Sequence, residues 1–138
     1  MGFFENPNLA RYTHALLRII TGVNFMTHGV QKLFGAFGGM DGHGGTVPLG
    51  GMFGVAGIIE LVAGLLIAIG LFTRPAAFIA AGEMAVAYFM AHVPNGGIIP
   101  VVNHGEPAVL TCFIFLFLAF NGAGPLSVDH ARVRRPVT

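Results

Sequence analysis

Four long apolar stretches, cut apart by glycine- and proline-rich breaks, dominate this 138-residue chain. They run from about Leu9 to Phe34, Leu49 to Phe72, Pro75 to Val93 and Pro107 to Phe120. A helix needs roughly 17–25 apolar residues to cross a hydrocarbon core about 30 Å thick. The first three stretches meet that requirement. The fourth, PAVLTCFIFLFLAF, is short, but its unbroken apolar character and the Asn121-Gly122 stop behind it favour a membrane helix, with a re-entrant segment as the alternative. Only 9% of the residues are charged, against about 25% in a soluble domain, too few to cover a soluble surface. That excludes a soluble enzyme, a disordered chain and a nucleic-acid binder. The net charge of +1 supplies no phosphate-neutralising patch, and the only cluster of positive charge is Arg132, Arg134 and Arg135. The expected fold is all-α: a polytopic membrane protein, a four-transmembrane-helix bundle forming one domain over residues 1–138, with a polar tail over 122–138.

The breaks and the charges orient the bundle. GAFGGMDGHGGTVPLGG is too glycine-rich for regular structure, Thr73-Arg74-Pro75 makes a tight connection, and VPNGGIIPVVNHGEP separates the last two spans. Pro75 and Pro107 suit the first turns of their helices. Arg11, Arg74 and the arginines of the tail fall on one side of a four-span bundle, so the positive-inside rule places both termini in the cytoplasm of a multi-pass membrane protein. The segment MGFFENPNLA lacks a basic n-region, so the first stretch is expected to be a retained span rather than a cleaved signal.

Arg18, Glu60 and Glu83 lie near the middles of the first three spans. Facing lipid, each would cost roughly 2.5–3.5 kcal/mol, so they are expected to point inward and meet. Gly57, Glu60 and Gly64 share one helix face, and Ala76, Ala80, Glu83 and Ala87 make a small-residue stripe, the kind of surface on which membrane helices approach closely. Arg18 can neutralise one carboxylate. The other must be protonated, share a proton or find donors elsewhere, unless all three form a static structural network.

The first span carries a polar stripe of His14, Arg18, Thr21, Asn24, His28 and Gln31, spread over roughly 140° of the helix circumference. Such a stripe should line the bundle interior. Four histidines, His28, His43, His92 and His104, gather toward one membrane face, with Asp41 and Glu106 nearby in sequence. Imidazole with carboxylate could ligate a metal, bond quinone carbonyls or relay protons. No H-x-x-x-H or H-E-x-x-H spacing is present, so no metal ligand is assigned. The glycine-rich loop is no P-loop, the only serine, Ser127, lies in the tail, and the single cysteine, Cys112, permits neither an internal disulfide nor a Cys-x-x-Cys pair. The Cys112 side chain is read as packing.

HGVQKLFGAFGG over 28–39, GLFTRPAAF over 70–78, AGEMAVAYFMAH over 81–92 and NHGEPAVLTCFIFLFLAFNGAGPLSVD over 103–129 resemble the DoxX family of small membrane proteins, in order and over about residues 9–129. The resemblance implies a four-helix inner-membrane protein linked to membrane oxidoreductase systems, without established catalytic residues. Its characteristic pattern falls on Arg18, His28, Gln31, Lys32, Glu60, Glu83, His92 and Glu106. The leading expectation is a redox-associated subunit, possessing a buried polar site drawn from Arg18, Thr21, Asn24, His28, Gln31, Glu60, Glu83, His92, His104 and Glu106. A quinone or similar small apolar molecule would bind there, and a partner protein would supply electrons. The alternatives are a non-catalytic anchor that recruits a redox or detoxification partner, and a small transporter or channel subunit that would have to oligomerise. The lipid bilayer is a partner under all three readings, and nucleic acid under none.

Overall fold

The computed structural model describes residues 2–133. Arg134 and Arg135, and with them the end of the expected tail, lie outside the described residues. Asn6 opens the first long helix, α1 (Pro7–Phe34), by accepting the Asn8 N–H at 2.9 Å, and Pro7 sits at the first turn, where no backbone donor is needed. Gly35, at φ 68°, ends it. Helix α2 (Met52–Ile69) ends the same way at Gly70, φ 71°. The stretch expected over 49–72 is thus trimmed at both ends, because glycine before Met52 and a left-handed cap after Ile69 both break the helix.

Helix α3 (Thr73–Ala87) runs on through a π-helical turn (Tyr88–His92) and a 3-10 turn (Val93–Asn95). A single turn (Pro100–Asn103) leads into α4 (Glu106–Asn121), which begins with Pro107 in its first turn. A short α5 (Val128–Val133) follows. Among the described residues there is no β-strand. By length and apolarity, Met52–Ile69 and the continuous segment Thr73–Asn95 are sufficient to cross a membrane, and Glu106–Asn121 is a shorter apolar helix. Helix α1 is long enough, at about 42 Å, but carries the polar stripe.

The helices pack as two tight pairs, α1 on α2 and α3 on α4. Glycine makes the first pair possible. A methyl group on Gly22 would lie 2.6 Å from the Ala68 nitrogen, one on Gly29 2.5 Å from the Leu61 nitrogen and one on Gly64 2.6 Å from the Met26 nitrogen. The two backbones are therefore in direct contact, the arrangement by which van der Waals packing holds membrane helices. Alanine makes the second pair, with Ala76, Ala77, Ala80 and Ala81 buried against Phe115 and Leu118. Phe25 and Phe115, edge to face at 4.7 Å, join the pairs. Outward, Ile20, Val62, Phe78 and Phe113 are each more than half exposed, an apolar girdle suited to lipid rather than water.

Candidate functional site

The antiparallel register of the glycine seam decides which charges meet. Gly22 abuts Gly64, and Gly29 abuts Gly57. Side chains lean toward the N-terminus of their own helix, so Lys32 reaches back down α1 as Glu60 reaches up α2. Lys32 Nζ donates to Glu60 Oε1 in an ion pair whose side chains are 13% and 3% exposed. Glu83 of α3 faces the same charges, and the second oxygens of both acids, Glu60 Oε2 and Glu83 Oε2, are buried without a partner. One cation thus serves two carboxyl groups. Glu60 belongs to the glycine face expected from sequence, but the cation was not expected. Lys32 lies in the last turn of α1, and its flexible stem is what lets a residue near the helix end reach inward.

The expected partner, Arg18, does not meet either acid. The same register carries it to the opposite end of α2. There Nη1 donates to the carbonyls of Ile67 at 2.9 Å and Ala68 at 2.6 Å, and Nη2 to those of Leu126 at 2.7 Å and Pro125 at 3.4 Å. The last carbonyls of a helix lack intrahelical donors and carry the negative end of its dipole. Fully buried, Arg18 satisfies them and ties the segment after α4 to the first helix pair. Next to it, Asp129 caps α3 through the N–H groups of Phe72 and Thr73, both at 3.0 Å. Burial works to raise the Asp129 carboxyl, but these two donors and Arg132 outweigh it and hold the group below its ordinary value.

A cavity of about 420 Å³ opens between the helix pairs, in the half of the bundle away from the termini. Asn24, His28, Gln31 and Lys32 of α1, Glu60 of α2 and His92 beyond α3 line it, with Thr111 of α4 opposite. Phe25, Phe53 and Met84 form apolar wall. The stripe on α1 accordingly divides. His14, bonded to Gly122 O at 3.0 Å, and Arg18 hold the terminal end together, and the buried Thr21 lies between. Asn24, His28 and Gln31 face the cavity. Gln31 also donates to Gly39 O at 3.1 Å, fixing the loop over it. His92 Nδ1 is 3.2 Å from Asn103 O. A carbonyl only accepts, so Nδ1 is the donor and the neutral ring keeps Nε2 as an acceptor. Neutral His92 therefore cannot donate to a ligand carbonyl, as was expected of it.

A second cavity of about 430 Å³ lies between α2 and α3. Its walls are apolar apart from Glu83 and Lys32. It shares Lys32, Phe53, Ala87 and Ala91 with the first.

The histidines do not all converge. His28 and His92 line one cavity, whereas His43, His104 and Glu106 are exposed and line neither. Among the described residues no three His, Cys, Asp or Glu side chains are grouped closely enough to hold a metal. Asn103, a candidate from sequence for the cap before Pro107, organises this end. Its amide donates to Gly97 O at 2.7 Å and Tyr88 Oη at 3.3 Å, and its oxygen accepts the Gly105 N–H at 2.7 Å. Cys112 packs as expected, donating to Ala81 O at 3.3 Å.

The DoxX family model matches residues 13–93, which takes in α1, α2 and α3 and stops before α4. An uncharacterized protein of Haemophilus influenzae is 43% identical over 121 residues, covering 86% of this chain and 90% of the relative. No solved structure matches the chain. With the matched residues carrying the glycine seam, the Lys32–Glu60 pair and Glu83, the chain belongs to the DoxX family of membrane proteins.

Proposed function

We propose that this protein is a four-span inner-membrane protein with both termini in the cytoplasm, and that it acts as a membrane subunit of a redox system by binding a quinone in the cavity between its helix pairs. The observation that carries this reading is a pair of buried carboxyl oxygens without a partner, Glu60 Oε2 and Glu83 Oε2: Glu60 lines the ligand-sized cavity between the helix pairs, and Glu83 lines the cavity that adjoins it. A buried polar atom without a partner costs about 1–3 kcal/mol, and a ligand hydroxyl would remove that cost.

The lining matches both redox forms of a quinone. The hydroxyls of the reduced form donate, and Glu60 and His92 Nε2 accept, with Glu83 beside the adjoining cavity. The carbonyls of the oxidised form accept, and Lys32, Asn24 and His28 can donate. Reduction of the oxidised form takes up two protons and two electrons. The carboxyl groups can pass on the protons, and the electrons must come from a partner protein, because the chain has one cysteine and no redox pair.

The test is to purify the protein from native membranes in mild detergent and measure quinone per mole of protein in an organic extract. Near-stoichiometric quinone, lost in Glu83→Gln and His28→Ala variants that still melt like the wild type, supports the reading. Quinone at the trace level of carried-over lipid overturns it and leaves the chain as an anchor for a partner.

A further inference from the structure

The cavity between α2 and α3 meets the chemistry above only through Glu83 and Lys32, and the rest of its wall gives it a further use. We infer that it is a lateral portal, in which the alkyl or isoprenoid tail of the bound ligand lies between α2 and α3 and leads out into the bilayer. The inference rests on the ligand-binding reading above and narrows its substrate class to lipid-soluble molecules with a long tail.

Three observations carry it. First, the groove is built for hydrocarbon. Val55, Ile59, Ile79, Val86 and Met90 supply its walls, and Lys32 and Glu83 are its only ionisable lining residues. Second, it is open on the lipid side, since Val55, Ile79, Val86 and Met90 are each more than half exposed. Third, it adjoins the polar cavity across a shared wall. Both share Lys32, Phe53, Ala87 and Ala91. Ala87 and Ala91 are one helical turn apart where α3 passes into its π-helical turn, so small side chains stand where a chain would pass between the two spaces. An amphipathic molecule placed across this boundary would put its polar head beside Glu60 and Glu83 and its tail among branched aliphatic side chains. Contact between α2 and α3 is sparser than that of α1 on α2 or α3 on α4; the contact between α1 and α4 is sparser still, so it is the apolar lipid-side groove that marks out this seam.

The test uses the full chain in lipid nanodiscs with two photoreactive benzoquinones, one carrying a diazirine on the ring substituent and one carrying it midway along a ten-carbon tail. Adducts are mapped by peptide mass spectrometry, with and without excess unlabelled quinone. The expected result is competed tail adducts on Ile59, Ile79, Val86 or Met90, and competed ring adducts on cavity residues. Ala56→Trp and Ile79→Trp, which fill the groove from opposite walls, should each cut the tail adducts at least fivefold and leave the ring adducts in place. Tail adducts spread evenly over the lipid-facing residues of all four long helices, with ring adducts still competed, overturn the portal alone. Absence of any competed adduct overturns both the portal and the quinone site.

Discussion

Replacing Lys32 with methionine isolates the central electrostatic feature of the bundle. The substitution keeps the apolar stem and removes the ammonium that pairs with Glu60 Oε1. Glu60 is 2% exposed, its second oxygen already lacks a partner, and Glu83 lies beside it. Removing one partner of a buried pair costs about 3–5 kcal/mol, because the remaining charge is uncompensated, whereas removing both is close to neutral. For a domain of this length each kcal/mol lowers the melting temperature by roughly 3–4 °C. The Lys32→Met protein should therefore melt roughly 10–20 °C below the wild type at neutral pH, and Lys32→Met/Glu60→Gln should recover most of that loss. The chain supplies its own reporter. Cys112 is the single cysteine and is held against Ala81 in the α3–α4 seam, so a thiol-reactive fluorogenic dye reads the opening of the bundle during a temperature ramp. A single variant that melts within a few degrees of the wild type, or a double variant as unstable as the single, would refute the claim that Lys32 is what makes the buried glutamate tolerable.

Gly64→Leu should separate α1 from α2, since even a methyl group would meet backbone at 2.6 Å. Overpacking of this kind costs about 1–3 kcal/mol or more, read as a lower melting temperature in the same dye assay, while Gly82→Leu, where a Cβ meets nothing within 4 Å, should leave it unchanged. Arg18→Lys keeps the charge but cannot span carbonyls on two segments, and should cost about 2–4 kcal/mol, with protease cleavage appearing first after Gly122. Asp129→Ala should remove the cap of α3 at about 0.5–2 kcal/mol. Because the Asp129 carboxyl sits below its ordinary value, its contribution is present above the unfolded value of about 4 and is lost as pH falls through the lower folded value. The wild type should thus lose stability on acidification below about pH 4 more steeply than Asp129→Ala, measured as melting temperature against pH.

The amino-acid sequence by itself determined the helices and their breaks. Apolar stretches too long for loops, proline at first turns and glycine at Gly35 and Gly70 leave the backbone few choices, and α1 and α4 begin and end within two residues of where the pattern puts them. It also determined which faces pack, since Gly57, Glu60 and Gly64 can approach a neighbour only as a group. Pairing was decided by tertiary structure. Depth along a span is a poor guide in a helix of 28 residues, because its midpoint need not lie at the middle of the bundle. Arg18 and Lys32 are 14 residues apart on α1, almost four turns, and the sequence offers no reason to prefer either as the partner of Glu60. The glycine seam settles it by locking the antiparallel register. That register sends Arg18 to the terminal carbonyls of α2, and leaves Lys32 as the cation between two buried acids.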